Sequence, residues 1–454
     1  MQDAGRLEAE LNATCAAAKR LFSEQPLIAW LAVIAIGGAI HLSLWPLSEP
    51  PTLFSDFYKA YWAAAEKLYQ GGPEAIYPFT VRGNWSNLPV LAWPFVPLVP
   101  LGHDAAGWVF LGIGIAATIA AWALLARFAG LRGPMAAALL FLFLVSGPLL
   151  NSLREGNTTH IVLLLMVIGL FMWRARQDYV AGLLFGLCAT VKLPLLLLGI
   201  YFFARRRWAI VAGGATTVIV AVGLSLMLFS LNEHYEWFQD TIASNLGKTI
   251  PAFNVQSIDG FLMRLSTGTE ELLYWGPIEP ALAHKIVRNL ALAFLIGGFG
   301  WLMWRSERKG LVSTTPGEMT PYDLLQFSMV LILALVTSPL SWTHYYLILL
   351  APLALYLGGR LPLPDDGMTR WLFWPGYLMT SIPVIMPKME IDPNPPPGWL
   401  AELAARTIMS VWLFGGLLML ACFARGLVLA VMPRTNDEAV SAASLKAEGS
   451  ARGA

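Results

Sequence analysis

The sequence predicts an all-α integral membrane protein of about twelve transmembrane or half-transmembrane helices, with an amphipathic first periplasmic loop. Three observations carry this. The 454 residues are 57% hydrophobic and only 13% charged, roughly half the charge of an average soluble domain. The apolar residues fall in repeated runs of about 20, the length that crosses a hydrocarbon core. Arginines and lysines separate the runs in clusters, as positive-inside topology requires. A run in lipid has no water to bond with, so its backbone satisfies itself as helix.

The same composition excludes other classes. A formal charge of +1 spread over helix ends offers no surface for nucleic acid. Cys15, Cys188 and Cys422 are far apart, with neither disulfide nor metal-ligand spacing. The first apolar run, residues 26–45, follows a charged stretch and lacks a small-residue cleavage site, so it is expected to stay as an anchor.

The elements follow in order. Lys19 and Arg20 place residues 1–25 in the cytoplasm, and the first span leads out to a loop over 46–104. Residues 105–126 return to Arg127 and Arg132, 134–150 go out, 151–160 form a short outer loop, and 161–173 come back to Arg174 and Arg176. Residues 179–203 suffice for one span, yet Arg205, Arg206 and Arg207 follow directly. A single crossing would put that triplet outside. Two half-helices meeting at Val191-Lys192-Leu193-Pro194 keep both clusters inside, because proline disfavours helix at the residue before it. Such broken helices are tolerated where they line a protein cavity.

Residues 210–231 then lead to an outer loop over 232–284, and 286–304 return to the basic RSERKG segment. Residues 324–337 go out, SPLSWTH turns, and 345–358 come back to Arg360. Residues 371–386 go out, a loop over 387–404 follows, and 408–423 end at Arg425. The membrane domain is thus 26–430, with a polar, disordered cytoplasmic tail over 431–454.

This arrangement gathers Asp56, Arg82, Asn84, Arg154, Glu155, Asn157, His160, His344 and Tyr345 at the outer face, with Lys192 at the apex of the broken pair. Charged groups at membrane depth are costly and pair or line a cavity. A cationic set around one carboxylate suits an anionic ligand and a proton acceptor. Each residue also has a plainer reading. Asp56 follows Ser55 before an apolar-periodic run, the pattern of a helix cap. Lys192 is long enough to snorkel, and His344 beside Trp342 fits an aromatic belt. Arg154 and His160 fit helix ends.

The stretches SDFYKAYWAAAEKLYQGGPEAIY, NLPVLAWPFVPLVPLG, REGNTTHIVLLL, AGLLFGLCATVKLPLLLLGIYFFARRRW, NVQSIDGFLMRL and SPLSWTHYYLILLAPL occur in that order over roughly residues 50 to 355. In order and spacing the chain resembles the polyprenol-phosphate-mannose-dependent mannosyltransferases of glycosyltransferase family 87. The resemblance implies a GT-C fold with its active site at the outer leaflet of the inner (plasma) membrane. It implies an inverting transferase that moves mannose or a similar hexose from a polyprenyl-phosphate sugar donor to a lipid or glycan acceptor, with no cofactor and no metal. Matched residue by residue, it makes Asp56 the general base and His344 an assistant at the donor phosphate, and it puts Lys192 on that phosphate. Arg154 and His160 join the expected phosphate site, and Tyr58, Arg82, Asn84, Asn157, Trp342 and Tyr345 the expected substrate site. The chain departs from the family at Glu155-Gly156-Asn157, where Gly-Gln often precedes the Asn.

The chemistry fits the residue types. Lys, Arg and protonated His stabilise a departing phosphate, Asp takes a hydroxyl proton, and one carboxylate with in-line attack gives inversion. No DxD pair of the kind that holds a metal with a nucleotide sugar is present. A transporter or flippase of lipid-linked envelope intermediates would share the polytopic bundle and the broken pair. Against it, the hydropathy pattern shows no internal repeat, and the polar residues gather at one face. The outer loops 46–104, 151–160, 232–284, 340–345 and 387–404 are expected to build the site.

Overall fold

The computed structural model describes residues 13–14, 16–44, 53–71, 85–384 and 398–432. Arg82, Asn84, residues 387–397 of the last outer loop and residues 433–454 of the tail lie outside them, as does just over half of the N-terminal segment 1–25.

Among the described residues the architecture is helical throughout, and only two isolated β-bridges occur. Helix α1 spans Pro26–Leu44. In the first outer segment, one π turn (Phe57–Trp62) runs into α2 (Ala63–Gly71), and a long 3₁₀ segment covers Pro89–Leu101. Prolines at 94, 97 and 100 explain the 3₁₀ form. They recur at its three-residue period, and the donors they lack disrupt an α ladder. Then come α3 (His103–Ala129), α4 (Pro134–Leu144), α5 (Gly147–Glu155) and α6 (Thr159–Arg174).

Residues 134–150 do not form the single straight span expected. The helix breaks at Val145–Ser146 and bends by 54°, because Pro148 cannot donate to the ladder and Ser146 is extended. Helix α5 then continues to Glu155, so Arg154 and Glu155 are buried helical residues and not part of an outer loop.

The broken pair is a hairpin. Helix α7 (Asp178–Val191) ends at extended Lys192, a 3₁₀ turn follows over Leu193–Leu195, and α8 covers Leu196–Ala204. Both outer ends of this pair reach one segment. Asp178 Oδ2 accepts from the Gly317 amide at 3.0 Å. Arg207 donates to the carbonyls of Ser313, Thr315 and Glu318, and Arg205 pairs with Glu307 and Asp323. Start and finish therefore lie on one side, as the flanking arginines demand. A second basic group marks the same end of the bundle. Arg174 donates to Phe128 O, and Arg360 to Ala129 O beneath the left-handed Gly130 cap of α3.

Helix α9 (Trp208–Leu228) lies against α7 across glycines: a Cβ at Gly182 would meet the Ile210 carbonyl, and one at Gly213 the Tyr179 carbonyl. Small residues at such crossings let backbones approach in lipid. Short helices α10 (Leu231–Trp237) and α11 (Ile258–Ser266) follow in the long outer segment. Helix α12 (Leu282–Arg308) presents Leu290 and Phe294 outward, as a lipid-facing helix does. Helix α13 (Pro321–Thr337) is the centre of the bundle, buried at every position from Asp323 to Val336. A 3₁₀ turn (Thr343–Leu349), α14 (Leu350–Leu357), α15 (Gly367–Thr380), α16 (Trp399–Ile408) and α17 (Val411–Val431) complete the chain. Five of these helices are long and apolar enough to cross a membrane alone, and six further apolar helical segments are shorter. The chain is a multi-pass membrane protein.

Candidate active site

At the end of the bundle opposite the basic clusters, four separate elements converge on one polar pocket. The first supplies Asp56. Its side chain makes no capping hydrogen bond to the turn it precedes, so the cap reading fails. Phe54 just before it has φ 58, a conformation costly for a side chain with a Cβ. The Phe54 amide donates to Arg154 O at 2.8 Å, and the ring packs edge-on to Tyr58 and Trp108. These contacts hold the strained residue and turn Asp56 inward.

The α5–α6 turn supplies the second and third groups. Gly156 takes φ 69, and a Cβ there would come 2.6 Å from the Phe57 Cβ, so only glycine lets this turn pass the Asp56 helix. Asn157 follows. Its Nδ2 donates to Asp56 Oδ2 at 2.8 Å, while its Oδ1 accepts from Lys192 Nζ at 2.9 Å and from Thr159 Oγ1 at 2.7 Å. Three donors on one oxygen, counting the Thr159 amide at 3.1 Å, fix which way the amide faces. On the other side of the turn, Glu155 Oε2 lies 3.1 Å from His344 Nδ1.

Lys192 is buried at the hairpin apex, its ammonium 4.6 Å from the centre of the Tyr345 ring. It therefore does not snorkel to the interface. His344 opens the late 3₁₀ turn and is also buried. The outer segment frames that turn: Val255 bridges Trp342, Thr343 N donates to Asn254 O at 2.9 Å, and Tyr346 Oη donates to Gln256 O at 2.8 Å.

Asp56, Glu155 and His344 each bring one oxygen or nitrogen within 4.8 Å of the others. Such donors suit a divalent ion, but the Lys192 charge acts on both carboxylates and supplies positive charge there. With a cation already beside them, these groups can also exchange protons. Loss of hydration pushes the Asp56 carboxyl up to about 6, helped by the charge of Glu155 and opposed by His344, the Asn157 hydrogen bond and Lys192. A carboxylate tuned to that range accepts and releases protons near neutral pH.

Of the residues expected at the site, Asp56, Asn157, Lys192, His344 and Tyr345 come together. Arg154 is buried beside Glu155 and anchors Phe54 through its carbonyl. His160 is also buried, with Nδ1 3.1 Å from Ser152 Oγ, and its Nε2 would be 2.5 Å from a Cβ at Gly114. That is a packing position between α3 and α5. Tyr58 stacks on His103 at 3.6 Å, directed toward the start of α3. Trp342 packs with Val255 in the frame. Glu155 was the residue that spacing did not assign to the site; its signal is a lone acid ending an apolar run.

The model of glycosyltransferase family 87 matches residues 85–316, a span with Glu155, Asn157 and Lys192 inside it and Asp56 and His344 outside. The chain is 28% identical over 355 residues to a polyprenol-phosphate-mannose-dependent alpha-(1-2)-phosphatidylinositol pentamannoside mannosyltransferase of Mycolicibacterium smegmatis, covering 75% of each protein. It is 25% identical over 196 residues to an alpha-(1->3)-arabinofuranosyltransferase of Corynebacterium glutamicum, covering 41% of this chain and 43% of that one. Among solved structures, ArnT from Cupriavidus metallidurans bound to undecaprenyl phosphate aligns over 88% of this chain and 77% of that one, at 14% identity and a TM-score of 0.42.

Proposed function

The chain belongs to glycosyltransferase family 87, and from that premise we propose that it is an inverting transferase using a polyprenyl-phosphate sugar, mannose or a similar hexose, at the extracytoplasmic face of the plasma membrane. The observation that carries this reading is the Asp56–Asn157–Lys192 chain of hydrogen bonds, which sets a base and a cation on one amide.

The acceptor hydroxyl gives its proton to Asp56 while its oxygen attacks the anomeric carbon. The bond from that carbon to the phosphate oxygen breaks on the opposite face, and the phosphate leaves with the electron pair. Lys192 is placed to hold the phosphate as its charge grows, where a buried cation acts strongly. Its neighbours along the hairpin give the isoprenoid a place. A cavity of about 360 Å³, lined by Gly182, Gly186, Ala189, Leu196, Gly199 and Gly214, lies among α7, α8 and α9. Its walls are almost wholly apolar, and Gly199 on α8 leaves open space where a side chain would stand.

The acceptor in this reading is a lipid or glycan, and the outer segment 232–284, which frames the His344 turn, is the candidate for its side of the site. Charge supports the extracytoplasmic face: the Arg174–Arg360 and Arg205–Arg207 groups lie away from the Asp56 cluster, and positive groups tend to stay in the cytoplasm.

Purified protein in detergent, given radiolabelled polyprenyl-phosphate sugars and native lipid extract, should label a glycolipid. Asp56→Asn should lose turnover and still bind donor. Full transfer by Asp56→Asn would end the base assignment.

A further inference from the structure

Glu155 has no part in the mechanism above, and the family resemblance assigns it none. Yet it is buried at the heart of the pocket, with Oε2 3.1 Å from His344 Nδ1. The opposite ring nitrogen, His344 Nε2, is buried and has no hydrogen-bond partner among the described residues, and Glu155 Oε2 has none either, its approach to Nδ1 being an ion-pair contact. A buried polar atom without a partner is rare in a folded protein and calls for a ligand. Resting on the transferase reading, we propose that Glu155 is a positioning residue that favours the protonated form of His344 beside the bound phosphate, so that Nε2–H is donated to the departing phosphate and the proton is then replaced from Asp56.

The proton count closes. A neutral alcohol and a monoanionic phosphodiester enter. The alcohol proton goes to Asp56 as the new glycosidic bond forms, and the phosphate leaves with the electron pair of the broken bond. His344 then protonates it, and Asp56, within 4.8 Å of the imidazole, restores the ring. A neutral glycoside and a singly protonated polyprenyl phosphate depart, and the enzyme is back in its starting state.

Burial and the Lys192 charge push the His344 imidazole below its usual range and Asp56 opposes them; Glu155, 3.1 Å from Nδ1, is the second carboxylate placed to offset that loss when the anionic phosphate is at Nε2. The groups that act on His344 come from the elements around it: Asp56 from the first outer segment, Glu155 from α5, His160 from α6 and Lys192 from the hairpin apex, with Tyr345 alongside. Lys192 is the cation among these, so without Glu155 only Asp56 would offset it.

The test is Glu155→Gln in the full-length purified protein, assayed with labelled polyprenyl-phosphate mannose and acceptor extract across pH. The variant should lose about 100-fold in kcat, the scale of one acid–base contribution, with donor KM changed less than about twofold. The alkaline limb of its rate profile should move down by about one pH unit or more, a shift that mere structural damage does not produce. Glu155→Asp should restore part of both, and serves as the variant of record if the Gln variant does not fold. A Glu155 variant whose kcat and alkaline limb overlay the wild type would overturn the proposal while leaving the transferase reading intact. Wild-type protein that transfers no sugar would instead sink that reading. Loss of wild-type activity in chelator, restored by a divalent cation, would make the three residues a metal site and overturn the relay.

Discussion

Asn157 Nδ2 donates to Asp56 Oδ2 at 2.8 Å across 101 positions of sequence. The same amide accepts from Lys192 on its other end, so base and cation are spaced by one rigid side chain. A mobile lysine would otherwise collapse onto the carboxylate and quench both.

The bond has a consequence for pH dependence. Asp56 works as a base only when ionised, and its carboxyl lies at about 6 because burial and the Glu155 charge outweigh His344, Asn157 and Lys192. The rate of transfer should therefore rise as pH increases through about 6 and level off above it. Asn157→Ala removes a donor that favours the carboxylate, so the acid limb should move to higher pH. Rate profiles of the two proteins from about pH 5 to pH 8 decide it. An unmoved limb would mean that Asn157 does not act on Asp56.

Lys192 should matter for binding of donor more than for folding. Lys192→Ala removes a charge-assisted contact to phosphate, and donor KM should rise about 10- to 100-fold. Lys192→Arg should not restore it, since a planar guanidinium cannot occupy the ammonium position between Asn157 Oδ1 and the Tyr345 face. Equal donor affinity in wild type and Lys192→Ala would remove this residue from the site.

The hairpin's support is a matter of glycine. A Cβ at Gly182 would meet the Ile210 carbonyl, which is backbone and cannot turn aside. Gly182→Ala should therefore push α7 from α9 and cost about 1–3 kcal/mol. Gly223 in α9 has nothing within 4 Å of its would-be Cβ, so Gly223→Ala should be neutral or slightly stabilising. Thermal midpoints in detergent compare them; equal midpoints would show the crossing to be looser than described.

Particular residues show what the chain reveals before folding. The hairpin was legible because Arg174 and Arg176 before it and Arg205–Arg207 after it have to share a side, a constraint that needs no distances. The bend at Ser146 was legible in principle, since Gly147-Pro148 interrupts the run, but run length alone hides a 54° break. Tyr58 entered the expected substrate site through the family resemblance. A π turn rotates side chains out of the 3.6-residue phase, and it sends Tyr58 to His103. Glu155 was hidden for another reason: its partner His344 lies 189 positions on, and no local pattern announces such a pair.

The last relationship lies outside the pocket and sets its shape. Arg264 is fully buried in α11, and among the described residues no carboxylate lies within 4.0 Å of it. Its NH1 donates to Val255 O at 2.8 Å and Ala252 O at 2.9 Å, and its NH2 to Ser410 Oγ at 2.8 Å. A cation held by neutral acceptors still satisfies carbonyls that would otherwise be orphaned, and one lost donor there costs about 1–3 kcal/mol. The clamped segment is the one that bridges Trp342 and carries the Asn254 carbonyl to Thr343, next to His344. Arg264→Met, similar in length and unable to donate, should lower the thermal midpoint by an amount matching about 3 kcal/mol or more. Well below that midpoint it should also lower kcat, because the turn bearing His344 loses its frame. Arg264→Lys should rescue little, as one ammonium cannot span the carbonyls and Ser410 together. A Met variant with an unchanged midpoint would show that other contacts, such as Gln256 to Phe253 O, hold the frame without it.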